Sequence, residues 1–189
     1  LDGSDMLGHL RNFPLDLARA WKAAEGWDFS AIENQQYSGV ICLGMGGSAS
    51  GGDFLSCLSD ADGCLPFVSH RGYDLPTWAS EKWLVLSTSY SGNTEETIDA
   101  TEAAIGLGCT VIGMSSGGKM KTLLEDSNQT WIELPGGQPP RSAFGHIFGA
   151  QVAISWKLGI TSPPDDLDSI IQRLSEAVEA CDFTDSEGE

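Results

Sequence analysis

Short apolar runs that end on small or hydroxyl residues, most of them leading into a helical pattern, decide what this chain can fold into. Two are clearest. Gly39-Val-Ile-Cys-Leu43 runs straight into Gly44-Met-Gly-Gly-Ser-Ala-Ser-Gly-Gly52, and Trp83 to Thr88 runs into Ser89-Tyr-Ser-Gly-Asn-Thr94. A strand apolar on every residue suits a parallel sheet covered on both faces. Leu65 to Ser69, Cys109 to Met114 and Thr130 to Leu134 repeat the pattern. Helical stretches are expected from Asp53 to Ser59, from Asn93 to Leu107 and, after the turn Ser115 to Gly118, over a short stretch ending at Glu125. Alternation of this kind predicts an α/β fold, an open and doubly wound sheet with helices on both faces.

The flanking segments fit that frame. Met6, Leu10, Phe13, Leu17 and Trp21 recur at three or four, so Ser4 to Glu25 reads as helix, capped by Ser4 or Asp5 and divided at Pro14. Pro135 to Pro140 is a long turn. Ser142 to Leu158 is apolar nearly all round, hence a largely buried helix. Asp165 to Cys181 is amphipathic, with Leu167, Ile170, Ile171, Leu174, Val178 and Cys181 as its apolar stripe. Phe183 to Glu189 is acidic and has no core to join. The expected division is one domain over 1–181, with helices in 4–25, and a tail or the start of a linker over 182–189.

The turn after Trp83 to Thr88 carries the first chemical signal. Ser87, Ser89, Ser91 and Thr94 crowd hydroxyls where a helix opens, and the free N–H groups of a helix start attract anions. Phosphate is the obvious guest. A plain connecting loop, with Asn93 or Thr94 as the cap, accounts for the same residues. Charge sharpens the question. The 189 residues carry 27 acids and 10 bases, a net −17, which disfavours nucleic acid and anionic membranes as partners. Any phosphate site must therefore be built locally. No apolar run is long enough to span a bilayer, and no secretory leader opens the sequence. The five cysteines (Cys42, Cys57, Cys64, Cys109, Cys181) lack a CxxC and are expected to be buried thiols in a cytoplasmic protein.

Other motifs carry less. Gly44-Met-Gly46-Gly-Ser-Ala49 matches the G-x-G-x-x-A dinucleotide pattern in the right context. The second strand, however, ends in Ser69-His70-Arg71, with no acid for a ribose; Arg71 would tolerate a 2′-phosphate, so NADP stays as an alternative. Gly51 and Gly52 suggest a wide glycine-lined loop with Ser48 at its centre, or else close packing of helix on sheet. Gly113-x4-Gly118-Lys119 is followed by Met120, where a magnesium-binding hydroxyl belongs, which argues against an ATP site. No G-x-S-x-G is present. His9, His70 and His146 have no metal-ligand spacing, and His146 in an apolar helix reads as a core histidine. Arg141 follows Pro139-Pro140 and precedes the buried helix; there it can orient a polyol or stabilise negative charge.

With these residues in view, the chain resembles a sugar isomerase (SIS) domain, and more narrowly the N-terminal half of the bifunctional phosphoglucose/phosphomannose isomerase family. Gly44-Met-Gly-Gly-Ser48, Ser89-Tyr-Ser-Gly-Asn-Thr-Glu-Glu96, Ser116-Gly-Gly-Lys119 and Pro140-Arg141 stand in the family's order, as do Asp5-Met6 to Phe13-Pro14. The resemblance implies a five-stranded parallel sheet in a three-layer sandwich, with phosphate held by Gly47, Ser48, Ser89, Ser91 and Thr94. It implies that Arg141 steadies an enediolate, and it calls for no cofactor and no metal. The ligand implied is a hexose 6-phosphate, and association as a homodimer or against a second SIS domain is expected. Two departures stand out: Ala49-Ser50 after the first-loop serine, and Phe144-Gly-His146 early in the core helix. The family's base glutamate, ring-opening histidine and lysine belong to a second domain with no counterpart in this sequence. Glu95 and Glu96 are the only local bases, and a helix dipole explains them more simply. The expectation is a phosphate-binding part of an aldose–ketose isomerase, inactive alone; the alternative is a non-catalytic sugar-phosphate sensor.

Overall fold

A computed structural model describes residues 3–182, so the acidic segment from Phe183 lies outside the described residues. The elements run α1 (Met6–Arg11), α2 (Phe13–Ala24), β1 (Gly39–Gly44), α3 (Gly47–Asp62), β2 (Phe67–His70), β3 (Trp83–Thr88), α4 (Glu95–Leu107), β4 (Thr110–Ser115), α5 (Gly118–Asp126), β5 (Thr130–Glu133), α6 (Phe144–Lys157) and α7 (Leu167–Ala180). The five strands form one sheet in the order β2-β1-β3-β4-β5, and every pairing is parallel. This is the α/β sandwich that the alternation of patterns predicts.

Period-two side-chain alternation builds two cores from the same strands. Val40, Cys42, Leu84, Leu86, Ile112 and Met114 face Leu55 of α3 and Ile147 and Ile154 of α6. Ile41, Leu43, Val85 and Val111 face Ala100 and Ala104 of α4 and Leu124 of α5. Strands buried on both sides must be apolar at each position, which is why these runs stand out in the sequence. Helix α2 packs on α6 as an outer layer. The division near Pro14 falls at Asn12, and the proline takes an early position of α2, where its missing N–H costs nothing.

Several expectations change. The alternation lapses between β2 and β3, where residues 71–82 carry no α-helix. Gly72, Asp74 at φ 56° and Pro76 break the chain there, while Leu75 and Ala79 pack on the α4 side of the core and Trp78 lies on Trp83 at 4.8 Å. Helix α7 has no fully buried residue; its stripe leaves a cavity of about 520 Å³ against Trp21, Phe148 and Trp156. Only Cys42 and Cys109 are buried, whereas Cys57, Cys64 and Cys181 are exposed free thiols. Cys57 sits on the outward face of α3 beside Phe54 and Leu58, which are themselves 52% and 43% exposed. Burial pushes the Cys42 thiol up to about 12, so it packs as a small apolar group.

Candidate functional site

Sheet order places the site. Strands β1 and β3 are neighbours, yet β1 leads to α3 on one face and β3 to α4 on the other. Such a reversal opens a crevice at the carboxyl ends of the strands. The first turn of α3 and the turn that leads from β3 into α4 meet there, and the leading N–H groups of each helix have no acceptor within their own helix. The structure joins the two turns directly: the Tyr90 N–H donates to Ser48 Oγ at 3.4 Å.

The turn after β3 is a closed hydrogen-bonded unit. The buried Ser89 hydroxyl donates to Thr94 Oγ1 at 3.0 Å and accepts from the Thr94 N–H at 3.3 Å. Ser91 is exposed, and its Oγ accepts from the Asn93 N–H at 3.3 Å. A third turn braces this one. The Ser116 N–H donates to the Tyr90 carbonyl at 2.9 Å, its hydroxyl donates to the same oxygen at 2.8 Å, and the Lys119 N–H reaches Asn93 Oδ1 at 3.2 Å. Gly92, at φ 69°, lies so close to the Gly117 carbonyl that a Cβ would overlap it.

Among the residues expected to hold phosphate, Gly47, Ser48 and Ser91 therefore present themselves to solvent at least in part, while Thr94 is half-buried. Ser89, only 1% exposed, spends its hydroxyl inside the turn. Gly51 and Gly52 belong to helix α3 rather than to a wide loop. Gly52 serves packing, since a Cβ there would lie 2.6 Å from the Cys42 Cβ. Met120 is fully buried, in keeping with a plain strand-to-helix turn at Lys119. Arg71 pairs with Asp53, and that hydrogen bond holds the Asp53 carboxyl below its usual range.

Arg141 lies in the turn between β5 and α6, against the start of α3: a Cβ at Gly47 would sit 3.8 Å from the Arg141 Cα. Arg141 and Gly47 line a cavity of about 520 Å³ with His9, Ser50, Phe54 and Phe144 among its walls. Among the described residues no carboxylate lines that cavity, and Arg141 takes part in none of their ion pairs. Glu95 borders a different cavity, with Asp99, Glu102 and Lys119, and with Glu96 it stands in the first turn of α4. No cluster of metal-ligating side chains occurs among the described residues. None of the described helices is long and apolar enough to cross a membrane.

The roles of five residues at the site escape a reading of the sequence, wholly or nearly so. His9 joins the Arg141 cavity because α1 folds over it. Tyr90, Ser116 and Gln138 tie turns together across 26 and 48 residues of chain. Asp16 gave one signal, a carboxylate beside Leu17 on the apolar side of α2. It is buried and accepts from Arg19 at 2.8 Å and from Gln138 Nε2 at 3.0 Å, and it lies 3.3 Å from His146 Nε2. His146 is thus a core histidine with a carboxylate partner.

Burial disfavours the His146 imidazolium and holds its pKa below 6.5; the Asp16 carboxylate pulls it back up, and Arg19 adds to the lowering. The unfolded chain then binds a proton at pH values where the fold does not. The contribution of neutral His146 is complete above pH 6.5, the ordinary histidine value, and is lost as pH falls through the folded value. Urea unfolding across this range should show stability dropping with pH, and His146→Gln should flatten the drop. An unchanged slope in the variant would show that His146 does not carry it.

Comparison with known proteins follows the same line. No protein-family model matches the chain. It is 33% identical over 173 residues to a bifunctional phosphoglucose/phosphomannose isomerase of Caldicellulosiruptor bescii, covering 90% of this chain and 50% of that protein. Against the protein of the same name from Aquifex aeolicus it is 30% identical over 171 residues, 87% of this chain and 52% of the relative. The chain spans about half the length of these curated relatives. Tagatose-6-phosphate ketose/aldose isomerase of Escherichia coli shares the fold, with a TM-score of 0.76 over 94% of this chain and 54% of that one at 17% identity. The chain is an SIS-fold relative of the bifunctional phosphoglucose/phosphomannose isomerases.

Proposed function

We propose that this chain is the sugar-phosphate-binding SIS domain, over residues 1–181, of a cytoplasmic aldose–ketose isomerase that interconverts glucose 6-phosphate or mannose 6-phosphate with fructose 6-phosphate. The observation that carries this is the pair of helix starts at the crevice, joined from Tyr90 to Ser48, with Arg141 set against Gly47. The positive ends of two helices supply what a phosphoryl group needs without net charge. Ser48 and Ser91 add hydroxyl donors, and Ser89 and Thr94 keep the turn in shape. Phosphate anchoring supplies positioning, and Arg141 meets the negative charge that develops on an enediolate. A base must still move the proton between C1 and C2. In this reading it comes from a second SIS domain or a second copy packed over the crevice.

That no carboxylate among the described residues lines the Arg141 cavity favours a second reading, a sugar-phosphate sensor without catalysis. Isomerase assays on the polypeptide as it occurs in its cell separate the two. Both readings require the cradle, which calorimetry tests. Ser48→Ala/Ser91→Ala should weaken fructose 6-phosphate binding by about tenfold or more, the worth of one or two hydrogen bonds to a charged group. Identical isotherms for wild type and variant would remove the phosphate assignment.

A further inference from the structure

Tyr90 stands between two parts of the site that the fold otherwise builds separately. Its backbone belongs to the cradle, with its N–H on Ser48 Oγ and its carbonyl receiving Ser116. Its ring goes elsewhere. The phenol, on a residue 5% exposed, donates to the Pro135 carbonyl at 2.8 Å and accepts from the Gln138 N–H at 3.2 Å. Both partners lie in the turn that carries Arg141. We propose that Tyr90 is a positioning residue that sets the Arg141 guanidinium relative to the phosphate cradle; the proposal rests on the phosphate reading above.

The path from the phenol to Arg141 is short and stiff. Gln138 is held on its other side by Asp16, through Nε2 at 3.0 Å. Pro139 and Pro140 follow, each with φ locked by its ring. The Ser142 N–H and hydroxyl both close back on the Pro139 carbonyl at 2.9 Å, so Arg141 is held between two fixed points. No backbone pairing does this work, because 135–141 contains no strand or helix. With the phenol oxygen removed, the Pro135 carbonyl and the Gln138 N–H lose their partner, and the turn is free to move relative to the start of α3. The ring itself would stay in the core, in the buried cluster that includes Leu86, Met114 and Leu134.

A residue that only fills the core would behave differently, and a double-mutant cycle tells the two apart. Fructose 6-phosphate affinity is measured by calorimetry for wild type, Tyr90→Phe, Arg141→Ala and the double variant. Arg141→Ala should cost about tenfold in the wild-type background. In the Tyr90→Phe background the same change should cost under about twofold, because the arginine is no longer held in place. A full tenfold loss in both backgrounds overturns the positioning role while leaving the cradle intact. No binding by wild type overturns the phosphate reading and the positioning role with it. Should Tyr90→Phe fail to fold, Gln138→Pro deletes the N–H that donates to the phenol together with the Nε2 bond to Asp16, Gln138→Ala removes the Asp16 bond alone as its control, and the same cycle is run with both.

Discussion

Gly92→Ala is expected to destabilise the protein by about 2–5 kcal/mol, summing the cost of left-handed backbone for an L-residue with that of overpacking. Gly92 has φ 69°, and its missing Cβ leaves room for the Gly117 carbonyl. The obstructing atom is backbone, so no side-chain rotation relieves it. The Gly92 carbonyl also accepts the Met120 N–H at 2.9 Å, which fixes the turn after β3 against the start of α5. Alanine must push these turns apart, and the loss should appear both in unfolding by urea and in weakened sugar-phosphate binding. Gly106, inside α4 with no atom within 4 Å of a Cβ, is the control. Its replacement by alanine should stabilise by about 0.5–1 kcal/mol. A Gly92→Ala cost below about 1 kcal/mol would mean that the two turns are not in contact as described.

The second large effect is chemical. In the assembled isomerase that we propose, Arg141→Ala should lower kcat about 100-fold, the typical loss when one preorganised electrostatic partner of a developing oxyanion is removed. Substrate affinity should fall much less, since the phosphoryl group is anchored by the turns of α3 and α4. Arg141→Lys should recover only part, because an ammonium offers a point charge without the planar fork. Steady-state rates with mannose 6-phosphate as substrate read this directly. A kcat within about threefold of wild type in Arg141→Ala would remove the arginine from the chemistry.

How much of this was legible beforehand varies by element. Strands β1, β3 and β4 declare themselves because burial on both faces forces unbroken apolar runs. The span Trp83–Thr88 is the one that the pattern marks. Helix α3 was harder. Its first turn reads Gly-Ser-Ala-Ser-Gly-Gly, poor in helix propensity, so the pattern starts a helix only at Asp53 while the structure starts it at Gly47. Tertiary packing overrides propensity here, since Gly52 needs to be small against Cys42. The stretch 71–82 has no helical pattern in the sequence and forms no α-helix, although a crossover between parallel strands usually carries one.

The site shows the same division. Hydroxyls in a turn before acidic helix residues point to Ser87, Ser89, Ser91 and Thr94 alike, and the glycine-rich loop after β1 points to Ser48. What those signals cannot reveal is how each hydroxyl is used. Ser89 and Ser91 lie two residues apart with the same chemistry, yet one is sealed inside the turn and the other faces solvent. Nor can spacing show that Tyr90 binds Gln138, or that His9 borders the Arg141 cavity. These contacts join segments far apart in the chain, and only the folded sheet brings them together.

The account stands on one claim, that the crevice between the starts of α3 and α4 holds a phosphorylated sugar. Its direct test is a calorimetric titration of the chain with fructose 6-phosphate beside one with fructose. Saturable binding of the phosphorylated sugar is expected, and none of the free sugar at the same concentrations. Equal binding of both, or of neither, would contradict it.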